Sequence, residues 1–183
     1  MSLEEELGAA REAAVAHATD GEEVVAVIPT EPGTGARVYL CAYEQGEERA
    51  WLALDAARVP IADRVLVRDA VAIAAMCELA EESAGGGELG DLRSRLVELR
   101  LTENPEGIEE AEVAAAELQE AIQPPPRVAS VAYLEALGQA VTRLEHALGE
   151  VGGSPFAEAM KTGMPAADEL ADEVESRYKG PLG

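Results

Sequence analysis

The chain has 183 residues, 48% of them hydrophobic, so it is long enough to bury a substantial core without disulfide staples. Its formal net charge of -22, from 36 acids against 14 bases, argues against a nucleic-acid partner and against an anionic membrane surface, since both would repel it. Two cysteines make no disulfide framework, no opening apolar run has signal-peptide length, and the longest uncharged stretch, Ala70 to Cys77, falls far short of the roughly 20 residues a membrane span needs.

These features point to a cytoplasmic protein with reduced thiols. The bases are 12 Arg and two Lys, and Asn occurs once, at position 104, a usage that fits a GC-rich bacterial or archaeal genome. Scarce Asn and Gln would also suit growth at elevated temperature.

Turn residues at Asp20-Gly21, Pro32 to Gly35, Gln45-Gly46, Val59-Pro60, Gly85 to Gly87, Asn104 to Gly107, Pro124 to Pro126 and Gly152 to Pro155 divide the chain. The first segment reads as a helix with a seam of Leu3, Leu7, Ala10, Ala14 and His17. Three β-branched or aromatic runs follow, Glu22 to Pro29, Arg37 to Glu44 and Glu48 to Asp55, and read as an antiparallel meander. The PGTG between the first two runs is followed by a strand where a phosphate loop needs a helix, and it lacks the Lys-Ser/Thr pair, so it reads as a hairpin connection.

Pairing Glu44 with Glu48 across the Gln45-Gly46-Glu47 turn predicts one apolar face of Val38, Leu40, Ala42, Ala50, Leu52 and Leu54. The other face then carries Arg37, Tyr39, Cys41 and Tyr43 beside Arg49, Trp51, Ala53 and Asp55. Aromatic side chains and arginine dominate interface hot spots, which makes Arg37, Tyr39, Tyr43, Arg49 and Trp51 the candidate face for a ligand or partner. The competing expectation is that the first helix covers this face as ordinary core.

The run from Ile61 to Glu82 predicts a helix that is apolar all round over Ala70 to Cys77, placed between sheet and bundle. Beyond it, apolar residues recur at alternating three and four residue steps: Leu89, Leu92, Leu96, Leu99; Ile108, Ala111, Ala115, Leu118, Ile122; Leu134, Leu137, Val141, Leu144, Leu148, Val151; and Phe156, Met160, Gly163, Ala167, Leu170, Val174. Seams of this period belong to helices packed as an antiparallel bundle. Asn104-Pro105 and Ser154-Pro155 read as helix starts, Ser130 as a further cap, and Gly163 with Pro165 as a break or kink near Met164.

The strings Glu78-Leu-Ala-Glu81-Glu82, Glu109-Glu110-Ala-Glu112 and Asp168-Glu169-Leu-Ala-Asp172-Glu173 superficially resemble the acidic helix motifs of all-α nucleotide pyrophosphatases. Their heptad positions oppose a metal site: Glu109, Glu110, Glu117, Glu120, Asp168, Glu169 and Asp172 fall outside the seams, and no Glu-x-x-His pair exists. Cys41 in a strand and Cys77 in the most apolar helix read as inert thiols, His17 as a packed edge residue and His146 as an outer one.

The expected fold is therefore α+β, with residues 1–84 forming helix, meander and central helix, and residues 85–183 a bundle packed on them as one compact unit. The expected function is a non-catalytic binding or assembly module without metal or cofactor, acting on a protein partner or by self-association, with a small-molecule ligand as a further option. The alternatives are a small-molecule or metal-dependent hydrolase using loop carboxylates, and a purely structural homo-oligomer subunit.

Overall fold

The computed structural model describes the chain except Thr34, 86–87, 123–126 and 150–154; for residues 81, 83–85, 88 and 155–164 only the backbone is described. The architecture is α+β, as the sequence predicts. The order is α1 (Leu3–Ala16), β1 (Glu23–Glu31), β2 (Val38–Gln45), β3 (Glu48–Leu54), α2 (Arg64–Gly85), α3 (Glu88–Thr102), α4 (Ile108–Ile122), β4 (Ala129–Ser130), α5 (Val131–Leu148) and α6 (Pro155–Ser176). Strands β1 to β3 form the antiparallel meander, and the short β4 adds in parallel at Thr30 and Glu31 to give the order β3-β2-β1-β4.

Local chemistry explains the boundaries. Ser2 caps α1 in a capping box, its hydroxyl accepting from the Glu5 N–H (3.3 Å) while the Glu5 carboxylate accepts from the Ser2 N–H (2.6 Å). Helix α2 begins three residues later than predicted, because Asp63 accepts from the N–H groups of Val65 and Leu66 while Ile61 donates to Ala53 beside the sheet. Asn104 ends α3 instead of starting α4: it sits in the left-handed region at φ 43° and donates to the Leu99 carbonyl. Helix α6 runs unbroken through Pro165, where the sequence predicts an interruption.

The chain divides into two compact units that share α2 and α6. The first comprises Met1–Ala75, Arg127–Val131 and Ala166–Gly183; the second comprises Met76–Pro126 and Ala132–Pro165. The 84/85 boundary expected from the sequence falls inside the second unit.

In the first unit both faces of the sheet are buried. Val38, Leu40, Ala42, Trp51 and Ala53 pack on α2 and on Ala171 and Val174 of α6, while Tyr39, Cys41, Tyr43, Leu52 and Leu54 pack on Ala10 and Ala14 of α1. A wholly buried side chain of this size contributes about 1.5 to 3 kcal/mol relative to exposure.

The second unit is built on the predicted seams. All five seam residues of α4 are buried, as are Leu89, Leu96, Leu137 and Leu144, with Leu92, Leu99, Leu134, Val141 and Leu148 packed against them. Val151, Phe156, Met160 and Gly163 lie outside the described residues or side chains. Helices α3 and α4 are further joined by an Arg100–Glu112 ion pair at 2.9 Å and by an Arg93 hydrogen bond to Gln119 at 2.6 Å. Leu144→Ala should cost about 2 to 5 kcal/mol in urea denaturation, through lost transfer energy and the cavity left behind. A loss near zero would contradict the packing of this core.

Candidate functional site

The β2–β3 turn decides where the aromatic residues go. Gln45 pairs with Glu48 across a two-residue turn, Gly46-Glu47, with Gly46 at φ 62°. A positive φ at the first central residue matches the twist of the flanking strands, and glycine adopts it without a Cβ penalty. The register is therefore one residue away from the Glu44–Glu48 pairing read from the sequence, and such a slip inverts every side chain of one strand. Trp51 stands opposite Ala42, on the α2 and α6 side, not beside Tyr39 and Tyr43.

The five candidate residues thus separate into two groups. Arg37 and Tyr39 lie under α1: the Arg37 guanidinium binds Glu6 (2.6 Å) and Glu31 (2.5 Å), and the Tyr39 hydroxyl donates to Glu6 at 2.9 Å. That hydrogen bond, with the Arg37 charge, holds the Glu6 carboxyl below its ordinary range, while burial and Glu6 raise the Tyr39 hydroxyl. Tyr43, in β2, faces α1 as Tyr39 does, whereas Arg49 and Trp51 stand on β3, at the outer edge of the sheet, with Trp51 packed on the α2 and α6 side.

A segment that the sequence analysis left unassigned occupies this edge. Just after α6, Arg177 to Lys179 run parallel to β3: the Trp51 N–H donates to the Arg177 carbonyl at 3.0 Å, and the Lys179 N–H donates to the Trp51 carbonyl at 2.8 Å. Tyr178 turns inward between these bonds. Its hydroxyl donates to the Ile61 carbonyl (2.6 Å) and accepts from the Ala53 N–H (3.2 Å), and its ring packs against both sheet cores. The Gly183 N–H closes the strap on the Ala62 carbonyl at 2.7 Å.

Charge completes the seat. Lys179 forms an ion pair with Glu22, the two side chains only 13% and 11% exposed, and its ammonium stands 4.6 Å from the Tyr43 ring centre. The Glu22 carboxyl is pushed down to about 2, chiefly by its bond to Lys179 and then by the Thr19 N–H. On the other flank, Arg49 pairs with Glu44 and lies 6.0 Å from the Trp51 ring. Trp51 is 8% exposed, and its indole N–H has no hydrogen-bond partner among the described residues. A pocket of about 310 Å³ adjoins the strap between the β2–β3 turn and the end of α6, flanked by Arg49 and Arg177.

Compared with known protein families, curated proteins and solved structures, the chain matches none.

The remaining reactive groups have structural settings. Burial pushes the Cys41 thiol up to about 12, Cys77 is buried as well, and the Tyr43 hydroxyl donates to the Ala14 carbonyl at 2.8 Å. His17 is exposed at the end of α1, not packed at its edge, and His146 is exposed as expected. Glu109, Glu110, Glu117, Glu120, Asp168, Glu169 and Asp172 are all exposed. Among the described residues no three His, Cys, Asp or Glu side chains converge, and no helix is long and apolar enough to cross a membrane.

The sign of the pH dependence follows from Glu22. A carboxyl depressed by the fold stabilises it above the ordinary 4.5, and that contribution is lost as pH falls from 4.5 towards about 2. Acid titration over this window should loosen the strap and shift Trp51 emission to the red. Glu22→Gln should abolish that step; an identical step in the variant would remove the pair from the account.

Proposed function

We propose that the protein is a non-catalytic binding module whose working surface is the outer edge of β3, and that it recognises an extended segment carrying an aromatic residue followed by lysine and glycine. The observation that supports this reading is the way residues 177–183 lie there. They pair through main-chain bonds on either side of Trp51, insert one tyrosine into a seat with a donor and acceptors, and present a cation to Glu22. Strand addition to a sheet edge works in this way, with main-chain bonds giving affinity and side-chain seats giving specificity.

In this reading the strap is the resident occupant of the edge. Its high effective concentration keeps the seat closed, and a partner segment competes when the strap opens. The partner is a protein. Nucleic acid and anionic membrane are disfavoured by the charge of -22. The two buried, unbridged cysteines suit a reducing bacterial or archaeal cytoplasm. Catalysis is not assigned, because Cys41, Tyr39 and Tyr43 are held in packing or hydrogen-bonding roles.

The test uses the full chain and a labelled peptide of sequence Arg-Tyr-Lys-Gly-Pro-Leu-Gly. Lys179→Glu sets the protein's own strap against Glu22 and leaves the seat intact for the peptide lysine. Fluorescence polarisation should show the variant binding the peptide about tenfold more tightly than the wild type, a difference of about 1.4 kcal/mol. A peptide with alanine for tyrosine should not bind. If a folded variant, checked by circular dichroism, ignores the peptide even at millimolar concentration, the edge is a closure and nothing more.

A further inference from the structure

We propose that α3 carries a second, outward-facing heptad through which two copies of this chain associate in parallel about a two-fold axis. The helix has two seams. Leu89, Leu92, Leu96 and Leu99 face the core of the second unit. A second set, Gly90, Ser94, Val97 and Leu101, follows steps of four, three and four, the same alternation of threes and fours, on another face.

Its apolar members are open: Val97 is 40% and Leu101 74% exposed. A Cβ added at Gly90 would meet nothing within 4 Å, so another helix has room to approach there. A groove of about 440 Å³ runs beside the set, lined by Gly90, Arg93, Ser94, Val97 and Glu112.

Charge selects the occupant and its direction. With Ser94 and Leu101 at a positions and Gly90 and Val97 at d, Arg93 and Arg100 fall at g, and Asp91 and Glu98 at e. One flank of the stripe is basic and the other acidic. In a parallel pair, g of one helix faces e of the next heptad on the other, five residues on, so Arg93 meets Glu98 of the second copy and Glu98 meets its Arg93. Antiparallel pairing would set the arginine flank against itself. Arg93 donates through one nitrogen to Gln119, and a guanidinium has five N–H donors with which to bridge further. The contact is isologous and therefore closes as a dimer. Two heptads bury little area, so the dimer is concentration-dependent.

Sedimentation velocity on the full chain across a dilution series should show a mass rising from 19.2 kDa towards twice that value. Leu101→Glu, at a largely exposed position, should hold the protein monomeric with an unchanged circular dichroism spectrum. Arg93→Glu should also dissociate it, and Arg93→Glu with Glu98→Arg should restore the dimer. Ser94→Cys and Leu101→Cys, made separately and oxidised with diamide, should both cross-link, because parallel pairing brings each residue to its own copy. A monomer at every concentration overturns the proposal, as does a dimer indifferent to Leu101→Glu. Cross-linking at only one of the two positions overturns the parallel arrangement.

Discussion

A two-residue turn governs the first unit. Because Gly46 accepts a positive φ, Gln45 and Glu48 face each other, and every later residue of β3 is assigned a side by that pairing. Trp51 and Ala53 then join the core under α2 and α6, while Leu52 and Leu54 join Tyr39, Cys41 and Tyr43 under α1. The strands read as almost continuous apolar runs because both faces are covered. A strand buried on two sides gives no alternation to mark which face is which.

Covering both faces still leaves two edges, and the fold treats them differently. On the β1 side the two-residue β4 pairs at Thr30 and Glu31, and along the rest of the strand the register shifts between Val24 and Ala26, Pro29 supplies no N–H, and Arg11 occupies the Val24 carbonyl at 2.6 Å. These features blunt pairing by another strand. The β3 edge has no bulge and no proline in its span, and its pairing capacity at Trp51 is taken by the strap instead. An edge shaped for pairing and closed by a short segment is the physical basis for treating it as a binding surface.

The sequence revealed most of the helical half and misread the sheet in one respect. Periodicity located the seams of α3 and α4, and that of α5 as far as Leu148, though not the buried Ala114 and Ala140 beside them, because a helix buried on one stripe writes that stripe into its apolar spacing. The meander was also legible, from its turn residues. Its register was not: the Glu44–Glu48 pairing sets Val38, Leu40 and Ala42 beside Leu54, Leu52 and Ala50, and the Gln45–Glu48 pairing sets them beside Ala53 and Trp51, so apolar character alone does not separate the two. The Gly46-Glu47 pair was the better signal, since a glycine leading a two-residue loop specifies the hairpin directly. The strap escaped because Arg-Tyr-Lys-Gly-Pro-Leu-Gly has neither helical nor strand periodicity. Its signal was compositional: one of only four tyrosines and one of only two lysines stand side by side there.

The uneven distribution of charge bears on both surfaces. A chain at -22 repels its own copies in bulk, so any contact between copies must be made where the local balance differs from the average. Helix α4 has five acids and no base, whereas α3 sets Arg93, Arg95 and Arg100 against Glu88, Asp91 and Glu98 and is locally neutral. The strap is likewise one of the few basic segments, with Arg177 and Lys179 two residues apart and Glu22 beneath. Five of the 14 cations of this chain, Arg93, Arg95, Arg100, Arg177 and Lys179, thus stand on α3 and the strap. In an acidic protein a locally neutral or basic segment lowers the like-charge repulsion that a second copy would otherwise meet.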